Sequence, residues 1–175
     1  MAHSIFCTLK TTLDAATVVD RLKAAGFTAN DISVLLPDTD DSKGFAVENQ
    51  TKSPEGATIG AGTGAVVGGG LGWLLGIGAL AIPGVGPFIA AGPIMAALAG
   101  TAIGGAAGGI SGALIGLGIP EYEAQKFEGK LKGGRCLVSV HSESADETEK
   151  AKTIFEQAGA EDISTSQEAS FSAKT

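Results

Sequence analysis

Few residues in this chain have both the type and the spacing that chemistry needs. There are two histidines, His3 and His141, and two cysteines, Cys7 and Cys136. The cysteines are not spaced as a metal-binding or redox pair. The histidines are expected at opposite ends of adjacent parallel strands, too far apart to share a metal ion. No serine stands with a histidine and an acid in a recognisable catalytic order. GAGTG at 60–64 and GVG at 84–86 invite a phosphate-binding reading. A phosphate loop needs a lysine after its glycines, and no charged residue lies between 56 and 120. A dinucleotide fingerprint needs a strand before it and an acid about 20 residues later, and neither is present. Glu121, Glu123 and Glu128 share one helix. Their charges suit the helix dipole and i,i+4 partners such as Glu128 with Lys132. We therefore expect no catalytic residue, no cofactor and no metal, and read the chain as a non-enzyme.

The spacing that does stand out belongs to glycine. Gly60, Gly64, Gly68, Gly72 and Gly76 keep an unbroken four-residue period, as do Gly100, Gly104, Gly108, Gly112 and Gly116. Four is a helical spacing, although each glycine costs about 1 kcal/mol against alanine in a helix. Paired in reverse order, 60 with 116 through 76 with 100, the two runs have the register of an antiparallel helix hairpin. The ten glycines then form its helix-packing and oligomerisation face. The expected helices cover about 57–80 and 94–118, with AIPGVGPFIAAGP at 81–93 as the turn and Pro93 opening the second. Each would be roughly 36 Å long, against a bilayer core of about 30 Å. Small-xxx-small spacing also lets membrane helices approach closely.

The charge distribution divides the chain in three. All 12 lysines and arginines and all 19 aspartates and glutamates lie in 1–55 or 121–175, while 56–120 holds 21 of the 27 glycines. The net charge is −7, and the only near-patch of bases, Lys126, Lys130, Lys132 and Arg135, is interleaved with acids. Nucleic acid is therefore not an expected partner. MAHSIFCTLK lacks a basic region followed by an apolar run, so no secretory signal is expected. If the hairpin spans, both flanks face the cytoplasm, helped by the bases at 126–135. Glycine and alanine are weakly hydrophobic, and Trp73 falls inside the first helix rather than at an interface belt. The alternative is therefore a cytoplasmic soluble homo-oligomer with hairpins in its interior. A third reading is an accessory subunit docked in a larger membrane complex.

The flanks must position whatever the middle does. Ile5, Cys7 and Leu9 alternate as in a strand. Asp14 is placed to cap a helix bearing Ala15, Val18, Val19, Leu22 and Ala25, and Gly26 to end it. DISVLLP, 31–37, reads as the next strand. The second flank repeats this order. RCLVSVH at 135–141 is followed by a helix over about 145–158 with Ala151, Ile154, Phe155 and Ala158 on one face, then Gly159, then DISTS. AGFTANDIS at 25–33 and AGAEDIS at 158–164 are matching phrases. Two β-α-β units predict an α+β, ferredoxin-like domain of 1–37 and 120–168. The glycine-zipper hairpin of 57–119 splits it, 38–56 is a polar linker and 169–175 a tail. Cys7 and Cys136 would lie on its two adjacent central strands as small buried residues. Residues 120–134 read as a helix with Ala124, Phe127 and Leu131 on its apolar stripe. Flanks could then pair through open sheet faces carrying Phe6, Thr8, Leu137 and Ser139.

The run IPEYEAQKFEGKLKGGRCLVSVHSES at 119–144, followed by a helix and AGAEDIS, resembles bacterial general-stress and low-temperature-induced proteins with a glycine-zipper middle. The likeness covers about 57–168 and has Phe127 where tyrosine is common. It implies a role in stress physiology at the envelope, and it brings no catalytic residues. The expected protein is membrane-associated and self-assembling.

Overall fold

The computed structural model describes residues 3–37, 78–82, 86–94, 98 and 109–167. Strand β1 covers His3–Leu9, helix α1 Thr12–Ala24 and strand β2 Ile32–Pro37. The second flank gives helix α3, Glu121–Lys132, strand β5, Cys136–Ser142, helix α4, Ala145–Gln157, and strand β6, Glu161–Gln167. Thr11, not Asp14, caps α1: its hydroxyl accepts the Asp14 amide at 3.1 Å. The residue one turn earlier wins because it is still extended, at φ −132 and ψ 158, and so aims its oxygen at the free amides. Ser144 and Glu147 form a reciprocal capping box on α4. Gly26 and Gly159 end α1 and α4 at positive φ.

The described parts of the uncharged middle join this domain, and 56–77 lies outside the described residues. The glycine spacing predicts helix to about residue 80 and a turn over 81–93. The structure instead has strand β3, Gly78–Ile82, and strand β4, Gly86–Ala91. They pair with each other, Leu80 opposite Phe88, and β4 pairs with β2, Val34 opposite Ala91. Of the expected second helix over 94–118, residues 95–97 and 99–108 lie outside the described residues. Within the described part, helix α2 covers Gly109–Gly116, with its first residue, Gly109, at φ +44.

All strands are antiparallel to their neighbours in one six-stranded sheet, ordered β3-β4-β2-β5-β1-β6. The α+β class is as expected. Alternation sends odd-numbered residues of β1 to one face and even-numbered ones to the other. Under α1 and α4, Ile5, Cys7 and Leu9 join Val138, Val140, Val34 and Ile89, closed by Val18, Val19, Leu22 and Phe155. On the other face, Phe6, Leu35, Leu137 and Phe88 meet Ile94, Leu98, Ile110, Leu114, Phe127 and Leu131.

This second core corrects the expectation of an open sheet face. Phe6, Thr8, Leu137 and Ser139 are all buried, beneath elements that include α2 and α3. The physical reason is the apolar stripe of α3: Phe127 has only Phe6 and its neighbours to remove it from water, with ring centroids 6.3 Å apart. Burying one such side chain contributes about 2–3 kcal/mol.

Candidate assembly surface

Of the ten ridge glycines, Gly112 and Gly116 are described. Gly60, Gly64, Gly68, Gly72, Gly76, Gly100, Gly104 and Gly108 lie outside the described residues. In α2, Ile110, Ala113 and Leu114 are buried in the second core. Gly112 is half-buried and Gly116 exposed, and Ile115 between them is exposed by 43%. A Cβ built on Gly116 meets nothing within 4 Å among the described residues. Gly116 thus turns away from the domain that its own helix packs on. The helical period explains this split, since 110, 113 and 114 share one face and 112 and 116 another.

The start of α2 is tied to α3 by charge. The Ser111 amide donates to Glu128 Oε2 at 3.0 Å, and Lys132 Nζ lies 2.9 Å from Glu128 Oε1. Burial pushes the Glu128 carboxyl up, but the Ser111 and Lys132 hydrogen bonds outweigh it and hold it below the usual range. The Glu128–Lys132 pair is the one expected from i,i+4 spacing.

The near-patch of bases is paired with acids. Lys126 Nζ lies 2.5 Å from Asp162 Oδ1, Lys130 Nζ 3.3 Å from Asp162 Oδ2, and Arg135 Nη1 2.6 Å from Glu161 Oε2. Lys10 reaches Glu161 at 3.5 Å. Burial pushes Asp162 up, and Lys126, Lys130 and Thr8 more than reverse it, so its carboxyl sits below the usual range. Acids on β6 complete this cluster, and a scan for runs of bases does not find them.

The histidines sit otherwise than expected. β1 and β5 are antiparallel, with His3 opposite Ser142 and Ser4 opposite His141. The two histidines therefore share one end of the sheet, at successive register positions that alternation assigns to opposite faces. The parallel arrangement fails because β1 and β2, joined through α1, run the same way and β5 lies between them, antiparallel to both. Among the described residues, no group of three or more His, Cys, Asp or Glu is placed to hold a metal ion.

An open cleft of about 350 Å³ lies near His141, with Asp31, Glu143, Glu147 and Lys150 in its wall. Its carboxylates serve the local backbone. Asp31 accepts from the Thr28 amide at 2.8 Å and hydroxyl at 2.7 Å. Glu147 accepts from the Glu143 amide at 2.8 Å and belongs to the α4 capping box. These bonds account for both groups as turn and cap structure.

Cys7 and Cys136 lie on adjacent strands, opposite Val138 and Leu9. Burial drives the Cys7 thiol far up, against a hydrogen bond with the Val138 backbone. It pushes Cys136 up to about 11, with Thr12 working the other way. Neither thiol forms thiolate at neutral pH.

Among the described residues, no helix is long and apolar enough to cross a membrane. No family model, curated protein or solved structure matches the chain.

Proposed function

We propose that this protein is a non-enzymatic, stress-related assembly protein whose glycine ridges pack copies of it together. The observation that carries this is the outward turn of α2: Ile110, Ala113 and Leu114 are buried inside the domain, and Gly116 is left exposed beside Ile115. A helix that spends its apolar residues on its own core keeps a small-residue face for close approach by another helix. The stress role rests on the resemblance of 119–144. The domain is read as ferredoxin-like. Without the β3–β4 hairpin its strand order is β2-β5-β1-β6, built from two β-α-β units, which suits that fold.

Copies of the chain are the favoured surroundings of the ridges. β2 and β3 lie in one sheet, so 38–77 leaves and rejoins the same domain. Residues 92–108 likewise run from β4 to α2, which shares a core with that sheet. Crossing a bilayer and returning takes about 40 apolar residues, and 38–55 is charged and polar. A through-going hairpin of 57–119 suits this poorly, because β3 and β4 take its middle into the sheet.

The second reading is membrane association with both flanks cytoplasmic, alone or within a larger membrane complex. The absence of charge over 56–120 favours it. Alkaline carbonate fractionation followed by sizing separates the two. Release as a homo-oligomer supports assembly without lipid. Retention in the pellet, with a detergent-dependent species on extraction, supports the membrane reading and contradicts the first.

A further inference from the structure

We infer that the sheet's edge at β3, which pairs only with β4 among the described residues, pairs with β3 of a second copy, antiparallel about a two-fold axis, so that two sheets become one. The two edges of the sheet differ in a way that points to this. β6 is guarded. Its register with β1 shifts between Phe6 and Thr8, and Asp162 stands at φ +54. Glu161 and Asp162 hold Lys10, Lys126, Lys130 and Arg135 along it. Bulges and edge charges are how sheets avoid edge-to-edge pairing. β3 has none of these devices. Gly78-Ala79-Leu80-Ala81-Ile82 carries no charge and no proline, and among the described residues only β4 pairs with it.

The difference between the edges selects the occupant. A head-to-tail contact would need β6, which is blocked, and would build an open filament. An isologous contact uses β3 twice and closes. The chain carries net charge −7, so copies repel over most of their surface. β3 lies inside the uncharged 56–120 segment, where a like copy meets no like charge. The inference rests on the assembly reading for the presence of a second copy, but not on the glycine ridges.

In a register centred on Leu80, Gly78 faces the partner copy's residue 82 and Leu80 faces itself. Antiparallel partners have Cα atoms about 4.5–5.5 Å apart, within the range for a disulfide. Full-length Leu80→Cys should therefore cross-link to a dimer under mild oxidation. The native thiols Cys7 and Cys136 are buried and do not compete. Leu80→Lys guards the edge and should remove the dimeric unit by light scattering, with the far-ultraviolet circular dichroism unchanged. If Leu80→Lys unfolds, the cross-link alone decides. No cross-link above wild type, or dimeric mass kept in a folded Leu80→Lys variant, overturns the edge. Gly116→Leu separates the two readings. Loss of assembly there without a Leu80→Cys cross-link leaves the ridges standing and removes the edge, and a monomeric wild type removes both.

Discussion

Asp162 and Lys126 join β6 to α3 through a 2.5 Å contact, with Asp162 in the left-handed region at φ +54. Its side chain also accepts from Thr8 at 3.1 Å and pairs with Lys130 at 3.3 Å, so one residue binds α3 and the adjoining strand β1. Asp tolerates this backbone better than a bulky residue, and the bulge there turns its carboxylate toward α3.

This clamp sets an acid limit on stability. The Asp162 and Glu128 carboxyls are both held below their usual values. A lowered folded-state value stabilises above the unfolded one and is lost as pH falls through the folded one. Stability should thus be flat from neutral pH down to about the ordinary carboxylate range near 4, then fall. Asp162→Asn should be less stable at pH 7 and show a shallower decline below pH 4. Urea midpoints across pH check this, and an unchanged acid slope contradicts it.

Two glycines at positive φ should respond differently to alanine. A Cβ on Gly92, at φ +78, would lie 2.3 Å from the Ile32 carbonyl oxygen, where backbone has no room to yield. A Cβ on Gly26, at φ +102, meets nothing within 4 Å. Gly26→Ala should cost only the backbone strain, about 1–2 kcal/mol. Gly92→Ala should cost more, and it should loosen β2 against the segment after β4. Paired denaturation curves test the order, and equal losses would mean that the close approach at Gly92 does not hold.

The buried thiols give a probe of folding. Cys7 and Cys136 have no relative exposure above 1%, and burial holds both in the thiol form. An aromatic disulfide reagent at pH 8 should label neither in the native protein and both in denaturant. Labelling of the native state at the rate of a free thiol would mean that α1 does not cover the sheet as described.

The flanks were readable because each element shows its own period. The stripe Ala124, Phe127 and Leu131 marked α3, and the shared Asp-Ile-Ser phrase marked the two β-α-β halves. What α3 packs on was not readable, because its target, Phe6 with Leu137 and Phe88, comes from three strands far apart in sequence. The middle misled for a different reason. GALAI and GPFIAA are short apolar runs, and such runs fit helix and strand equally well. Here, the pairing of GPFIAA with β2 and of GALAI with GPFIAA decides, and tertiary partners outweigh propensity. Gly112 and Gly116, two members of the four-residue period, both lie on α2. The period could not reveal the positive φ of Gly109, since a left-handed glycine looks like any other in the sequence. The acids that neutralise Lys126, Lys130 and Arg135 escaped notice because β6 lies about 30 residues downstream of them.

The account turns on the exposed ridge of α2. Gly116→Leu meets open space in the isolated domain and removes a poor helix former, a gain of up to about 0.8 kcal/mol. Light-scattering mass and thermal unfolding of this one variant are therefore the most direct test. Assembly beyond a β3-edge dimer should be lost while the domain melts at the same temperature or slightly higher. Wild-type mass with Gly116→Leu would contradict an assembly built on the glycine ridges.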